Sequence, residues 1–405
     1  MYAPRPRADT ISLQRAFPGH EIRSRGVVLQ PKKALLLLWI LLPSILFCQT
    51  LAVKDLGCRL DLPEGWQALD TGDPAKLSFS EPARGAVLQV TAFPADSAMS
   101  ARAMSAEVMR QLAAKGTPVE YSCSGHAACF SDISFASRSN PYKGYLLVMK
   151  EPLAGDFVLL GFAPADSFAG AGDSLLSAMD SFSIDGEAGS LPGPVSQSAH
   201  PYPDTVQAPV ETGLSDSKIR WKTGASDAAA AQAIVEREAR LLASYGAEND
   251  AAWARFYRMI YRDSFRRIDS LVSAVTAEAK HKGWAREEIP IRLLSWMQGF
   301  SYSRTGTKAD FLSPVAVALK ASGDCDSRGL LYVMLLRRFD FDAILLVSSR
   351  YKHAMAGVVL SRQGAKVSWE GKQYLVAELT DQVDIGLIDR DMADPAGWIP
   401  ISFEE

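Results

Sequence analysis

Residues 186–217 hold Pro192, Pro194, Pro201, Pro203 and Pro209 among glycines and serines, with no apolar periodicity. Proline lacks a backbone donor and has a fixed φ, so it interrupts helices and central strands alike. Such a stretch is expected to be an unordered linker, because it buries too little apolar surface to offset its conformational entropy. It divides a chain of 405 residues into two folding units, 53–185 and 218–405. With 48% hydrophobic residues, both units can build ordinary cores.

Residues 1–52 read as a signal peptide or N-terminal anchor. Lys32 and Lys33 precede a mostly apolar run, Ala34 to Phe47, interrupted by Pro43. A membrane span needs roughly 20 apolar residues, and this run is shorter. It suits the hydrophobic region of a secretory signal, with cleavage after Thr50-Leu51-Ala52. Retention as an anchor over residues 34–53 and lipidation at Cys48 are the alternatives, although Phe47 is a poor residue before a lipidated cysteine. The expected location is the periplasm or cell envelope, with membrane contact through this segment alone. The chain has 43 basic and 46 acidic residues, a net charge of −3, which gives no electrostatic case for nucleic acid.

Within 53–185, Leu56 to Leu62 alternates like a half-buried strand, and Ala86 to Phe93, Tyr145 to Met149 and Phe157 to Phe162 are further strands. Ser97 to Lys115 is expected to be helical, with Met104, Val108, Met109 and Leu112 on one face and Gly116 as a stop. A second helix is expected over Asp173 to Met179, with Ser181 to Ile184 closing the sheet. The unit is therefore α+β. Cys58 is in phase with Leu56, Leu60 and Leu62 and is expected in the core. Cys123 and Cys129 flank a loop-like stretch, and an oxidising compartment would allow a disulfide there. Cys58, Cys123, His126 and Cys129 together invite a zinc reading, but their spacing fits no standard ligand pairing, so no metal is expected. No phosphate loop, dinucleotide fingerprint or His-Glu-x-x-His helix occurs, so no cofactor is expected either.

The unit 218–405 opens with helices. Ser226 and Asp227 can cap Ala228 to Ala243. Trp253, Phe256, Tyr257, Ile260, Tyr261, Phe265, Ile268, Leu271 and Val275 recur every three or four residues as a core stripe. Arg255, Arg258, Arg262, Arg266 and Arg267 lie largely off that stripe and are expected to form a solvated face, with an anionic partner as the alternative. Helices follow over 291–300, from Ser313-Pro314, and after Ser322-Gly323-Asp324. Strands are expected over 341–348, 353–360 and 374–380. Cys325 begins the last helix, His353 opens one strand, and Glu378 lies in the next. A helix N-terminus favours a thiolate, a histidine can act as base and acid, and a carboxylate can fix the histidine's orientation. Asp324 and Asp326 oppose a thiolate, but as exposed groups screened by water they are expected to lose to an imidazolium. The Cys325 pKa is therefore expected below that of a free thiol.

Trp296-Met297-Gln298 with Tyr302, then Gly323-Asp324-Cys325-Asp326, His353-Ala354 and Glu378-Leu379-Thr380 with Ile385-Gly386 follow in order. In this order the stretch from Ile291 to Ile388 resembles the bacterial transglutaminase-like cysteine peptidases of the papain-like superfamily. The resemblance implies helices packed on an antiparallel sheet, with Cys325 as nucleophile, His353 as base and Glu378 as the orienting carboxylate. Asp381 is an alternative third residue, because many members place aspartate there. Gln298 or the indole of Trp296 is implied as an oxyanion donor beside the Cys325 N–H. Met355 stands where an aromatic residue is common, a departure that bears on the substrate cleft. Leu60-Asp61-Leu62-Pro63-Glu64-Gly65-Trp66 resembles the opening of PsbP-like domains, which implies an α/β sandwich for 53–185 and no catalytic motif. The expected function is an exported cysteine peptidase or amidase acting on a peptide or protein. Its alternative is an inactive module of the same class that binds peptides or an envelope partner. Nothing in the sequence specifies the substrate or the oligomeric state.

Overall fold

The computed structural model describes residues 50–403 except 55, 97, 152–154, 185–190, 215, 247 and 248. The apolar targeting run and Cys48 lie outside the described residues. Among the described residues no helix is long and apolar enough to cross a membrane.

The first unit holds strands β1 (Thr50–Val53), β2 (Cys58–Asp61), β3 (Gln67–Leu69), β4 (Lys76–Glu81), β5 (Ala86–Phe93), β6 (Lys115–Gly116), β7 (Val119–Cys123), β8 (His126–Ser137), β9 (Asn140–Lys150), β10 (Asp156–Pro164) and β11 (Ser183–Ile184). Helices α1 (Ala101–Leu112) and α2 (Phe168–Asp180) accompany them. The expected cleavage point falls inside β1, which pairs with β2. The main antiparallel sheet runs β3-β4-β5-β10-β9-β8-β6, with β7 on β8. Leu147, Met149, Phe157 and Leu159 pack under α2, whereas Leu146, Val148, Val158 and Leu160 pack under α1. Both faces of β9 and β10 are thus covered, which is why these strands read as continuous apolar runs. The stretch expected to close this sheet instead pairs with β2, in a separate sheet of order β1-β2-β11.

The expected Cys123–Cys129 disulfide is not formed; no disulfide joins any of the four described cysteines. The stretch between them is a hairpin, not a loop. Ser124 and Gly125 both have positive φ, 53° and 88°, and turn β7 directly into β8 with Cys123 opposite His126. Three residues further along a pleated strand, Cys129 faces the other side. It packs under α1, while Cys58 and Cys123 pack with α2. His126 pairs with Glu151 at 2.8 Å.

The expected linker is ordered where it is described. It contains helix α3 (Pro194–Ala199) and strand β12 (Gln207–Leu214), which pairs with β13 (Ser217–Gly224). Pro194 starts α3, where its missing donor is harmless, and Pro209 lies in a two-stranded hairpin. Polar partners replace the missing apolar surface. The Ser196 N–H donates to Asp180 at 2.8 Å, and the Gln197 amide donates to the Pro192 carbonyl at 2.6 Å.

Helices α4 (Asp227–Leu242), α5 (Asp250–Phe265), α6 (Asp269–His281), α7 (Ile289–Gln298), α8 (Pro314–Lys320) and α9 (Cys325–Arg338) follow, then strands β14 (Ala343–Ser348), β15 (His353–Val358), β16 (Lys366–Trp369), β17 (Lys372–Ala377) and β18 (Ile399–Ile401). The strands form an antiparallel sheet of order β16-β17-β15-β14-β18. The whole chain is α+β, as expected.

The arginines of α5 and its C-terminal end are not a solvated face. Arg255 and Arg267 are each 3% exposed. Arg255 reaches Glu238 and the Asp61 carbonyl, and Arg258 reaches the Asp61 carboxylate at 2.9 Å. Arg262 donates to the carbonyls of Leu191, Asp180 and Phe182. Arg267 is held between Asp227 and Asp263. The contacts to Asp61, Asp180 and Phe182 join α5 to the first unit through a carboxylate and carbonyls that a helical wheel cannot reveal. Arg266 alone of the five remains half exposed.

Candidate functional site

Cys325 is the first residue of α9. The Asp324 side chain caps that helix by accepting from the Ser327 N–H at 3.0 Å. The helix lies close against the sheet. A Cβ on Gly329 would stand 2.8 Å from Leu345 Cδ1, so Leu345 of β14 would have to shift to admit a side chain here. This close approach brings Cys325 to the start of β15, where the Ala354 N–H points at the sulfur. Cys325 and His353 line one cleft of about 280 Å³, together with Asp324, Asp326, Trp253 and Arg304.

The imidazole Nε2 of His353 lies 2.6 Å from Glu378 Oε2. Glu378 lies one residue beyond β17 rather than within a strand. Its other oxygen accepts from the Thr380 N–H at 2.7 Å and from the Thr380 hydroxyl. The carboxylate is therefore fixed on both oxygens. Burial works against the charged ring of His353, yet the hydrogen bond and charge of Glu378, with Asp326 and Asp381, raise its pKa above the ordinary value. Burial likewise opposes ionised Glu378, but His353 and Thr380 outweigh it and lower its pKa. Asp381 is exposed and acts on the ring only through its charge, so Glu378 is the carboxylate that bonds to the ring.

The expected oxyanion donors are placed elsewhere. Gln298 spends its amide on two carbonyls, those of Glu378 and Val383, each at 2.9 Å. Trp296 is 6% exposed and packs edge-on to Phe300 in the helical core. Arg328, 1% exposed, completes the scaffold by donating to the carbonyls of Gly323, Met297 and Leu379. Gln298 and Arg328 thus hold the backbone at Glu378 and just beyond it, at Leu379 and Val383. Met355 is buried with Trp398 in the apolar cluster on one sheet face and does not line the cleft.

The expected low pKa of Cys325 is corrected. Burial first, then Asp326 and Asp324, push the thiol well above its ordinary value. The expectation treated both carboxylates as exposed and screened. Asp324 is 5% exposed, and its own pKa is raised by burial and by Asp326. The thiol donates to Asp326 Oδ1 at 3.3 Å, and the Tyr257 hydroxyl donates to Asp326 Oδ2 at 2.7 Å. Sequence reasoning placed Tyr257 and Trp253 on a core stripe and carried no signal that they reach this site. Among the described residues, no group of three His, Cys, Asp or Glu side chains is placed to hold a metal ion.

No protein-family model matches the chain, and neither does any curated protein. Solved structures similar to it include PsbP of Synechocystis, at 13% identity and a TM-score of 0.29, covering 35% of this chain and 95% of that one. The Ran-binding protein Mog1p of Saccharomyces cerevisiae is similar at 8% identity and a TM-score of 0.27, over 34% of this chain and 94% of that one. A protein of Bacteroides thetaiotaomicron is similar at 10% identity and a TM-score of 0.24, over 78% of this chain and 85% of that one. Likenesses this slight say nothing of function.

Proposed function

We propose that the chain is an exported thiol-dependent acyl-transfer enzyme, a cysteine peptidase or amidase of transglutaminase-like, papain-like type. The observation that carries this reading is the 2.6 Å His353–Glu378 hydrogen bond beside a cleft that also admits Cys325. With Nε2–H donated to the carboxylate, the neutral ring keeps its lone pair on Nδ1, the atom that must act as base. The thiol proton passes from Cys325 Sγ to His353 Nδ1, and the sulfur attacks the carbonyl carbon of an amide. His353 returns that proton to the leaving amine as the C–N bond breaks. Water, deprotonated by His353, then attacks the thioester and frees Cys325; an amine in its place gives transamidation. The Cys325 backbone N–H, at the first helical position, has no intrahelical acceptor and suits the developing oxyanion. A peptide or protein of the cell envelope is the proposed substrate.

A second reading rests on the protonated, buried thiol: a module of the same class that binds peptides without cleaving them. Reaction with a thiol-directed peptide electrophile separates the two. Labelling by the peptide electrophile that is lost in Cys325→Ala and slowed in His353→Ala supports the enzyme. Labelling unaltered by His353→Ala rejects it.

A further inference from the structure

We propose that Asp326 is a latch on the nucleophile, holding the Cys325 S–H away from His353, and that Tyr257 holds the latch in place. This rests on the reading of Cys325 as nucleophile. The first two residues of α9 are bonded to each other, with Sγ–H donating to Asp326 Oδ1 at 3.3 Å. The second carboxylate oxygen accepts the Tyr257 hydroxyl at 2.7 Å. Tyr257 is fully buried on α5, with its ring 4.9 Å from Phe256 and 6.2 Å from Trp253, so it gives Asp326 a rigid anchor. The latch thus ties the nucleophile to a helix that supplies neither the histidine nor its carboxylate.

Other charges face this pair. Asp324 comes from the same turn, His353 from β15, and Lys352 from the turn before it. Arg304 lines the cleft from the 301–310 loop, where Asp310 pairs with it at 2.9 Å. Arg328 acts from within α9, and Glu378 from beyond β17 through His353. Of these side chains Asp326 is the one that receives the thiol hydrogen. In the latched state the S–H bond is intact and Asp326 is an acceptor. Release is a rotation of the cysteine side chain that turns Sγ towards His353 Nδ1. The proton then moves to that nitrogen and leaves a thiolate beside an imidazolium.

The test is alkylation of Cys325 in the full chain by iodoacetamide between pH 5 and pH 10, followed by peptide mass. Asp326→Asn keeps the shape and removes the charge. It is expected to label at least about tenfold faster at pH 7, since each unit of pKa changes the thiolate fraction tenfold there. Tyr257→Phe frees the carboxylate to move and is expected to accelerate labelling in the same direction by less. Adding His353→Ala to Asp326→Asn is expected to slow labelling again. A profile for Asp326→Asn that coincides with the wild type, or moves to higher pH, overturns the latch. If circular dichroism shows Asp326→Asn unfolded, Tyr257→Phe decides, and an unmoved profile there overturns it. The expected acceleration without cleavage of any amide would leave the latch standing and remove the acyl-transfer reading.

Discussion

Replacing Glu378 with glutamine preserves the shape beside His353 and removes the charge. In the wild type the two side chains are 17% and 8% exposed and meet at 2.6 Å. Unit charges about 4 Å apart attract by about 4 kcal/mol at an effective dielectric constant of about 20. That attraction favours the charged ring and is lost with the carboxylate's charge. The glutamine oxygen can still accept from Nε2–H, and Asp326 and Asp381 still favour the charged ring, so we expect the histidine's pKa to fall without losing all of its elevation. His353 has a raised pKa, so its share of the pair's stability is full below its unfolded value of about 6.5 and is lost as pH rises through the raised value. Glu378 has a lowered pKa, so its share is full above the unfolded value and is lost as pH falls through the lowered one. The wild type should therefore exceed Glu378→Gln in stability most between about pH 5 and pH 6.5, and by less in alkali. The assay is an NMR titration of the histidine Cε1–H signals, with His353→Gln to assign one of the five histidines, beside urea unfolding at each pH. A His353 pKa that moves by less than about 0.3 unit, or upward, would refute the reasoning.

Gln298→Leu leaves the Glu378 and Val383 carbonyls without their donor and should destabilise by about 2–4 kcal/mol in urea; an unchanged midpoint would mean that the amide is not committed to them. Arg255→Ala strips Glu238 and Ser177 of a buried partner and should destabilise by about 3–5 kcal/mol; a loss below about 0.5 kcal/mol would contradict a buried seam between the two units. Non-reducing peptide mass mapping should recover Cys123 and Cys129 in unlinked peptides, and a linked pair would show that the hairpin faces were wrongly assigned.

The secondary structure was legible wherever one principle governed a stretch. Ala86 to Phe93 is a strand with the expected bounds, and the helices of 227–298 follow their apolar spacing. Reading failed where partners came from distant chain. The arginines of α5 looked solvent-facing because a helix period shows which side is apolar, not which carboxylates wait opposite. The linker looked unordered because its order rests on polar contacts that no apolar period reveals, the Ser196 N–H on Asp180 and the Gln197 amide on the Pro192 carbonyl.

The candidate site divides in the same way. Residue order along the chain, with a cysteine at a helix start and a histidine at a strand start, marked out Cys325, His353 and Glu378, because these are local features of position and chemistry. Three-dimensional packing put Glu378 rather than Asp381 within hydrogen-bond reach of His353, turned Gln298 into a clasp on backbone carbonyls, and set Tyr257 against Asp326. It also reversed the expected acidity of the thiol. Whether a carboxylate repels a neighbouring sulfur weakly or strongly depends on how much water lies between them, and that is decided by burial, which no local pattern encodes.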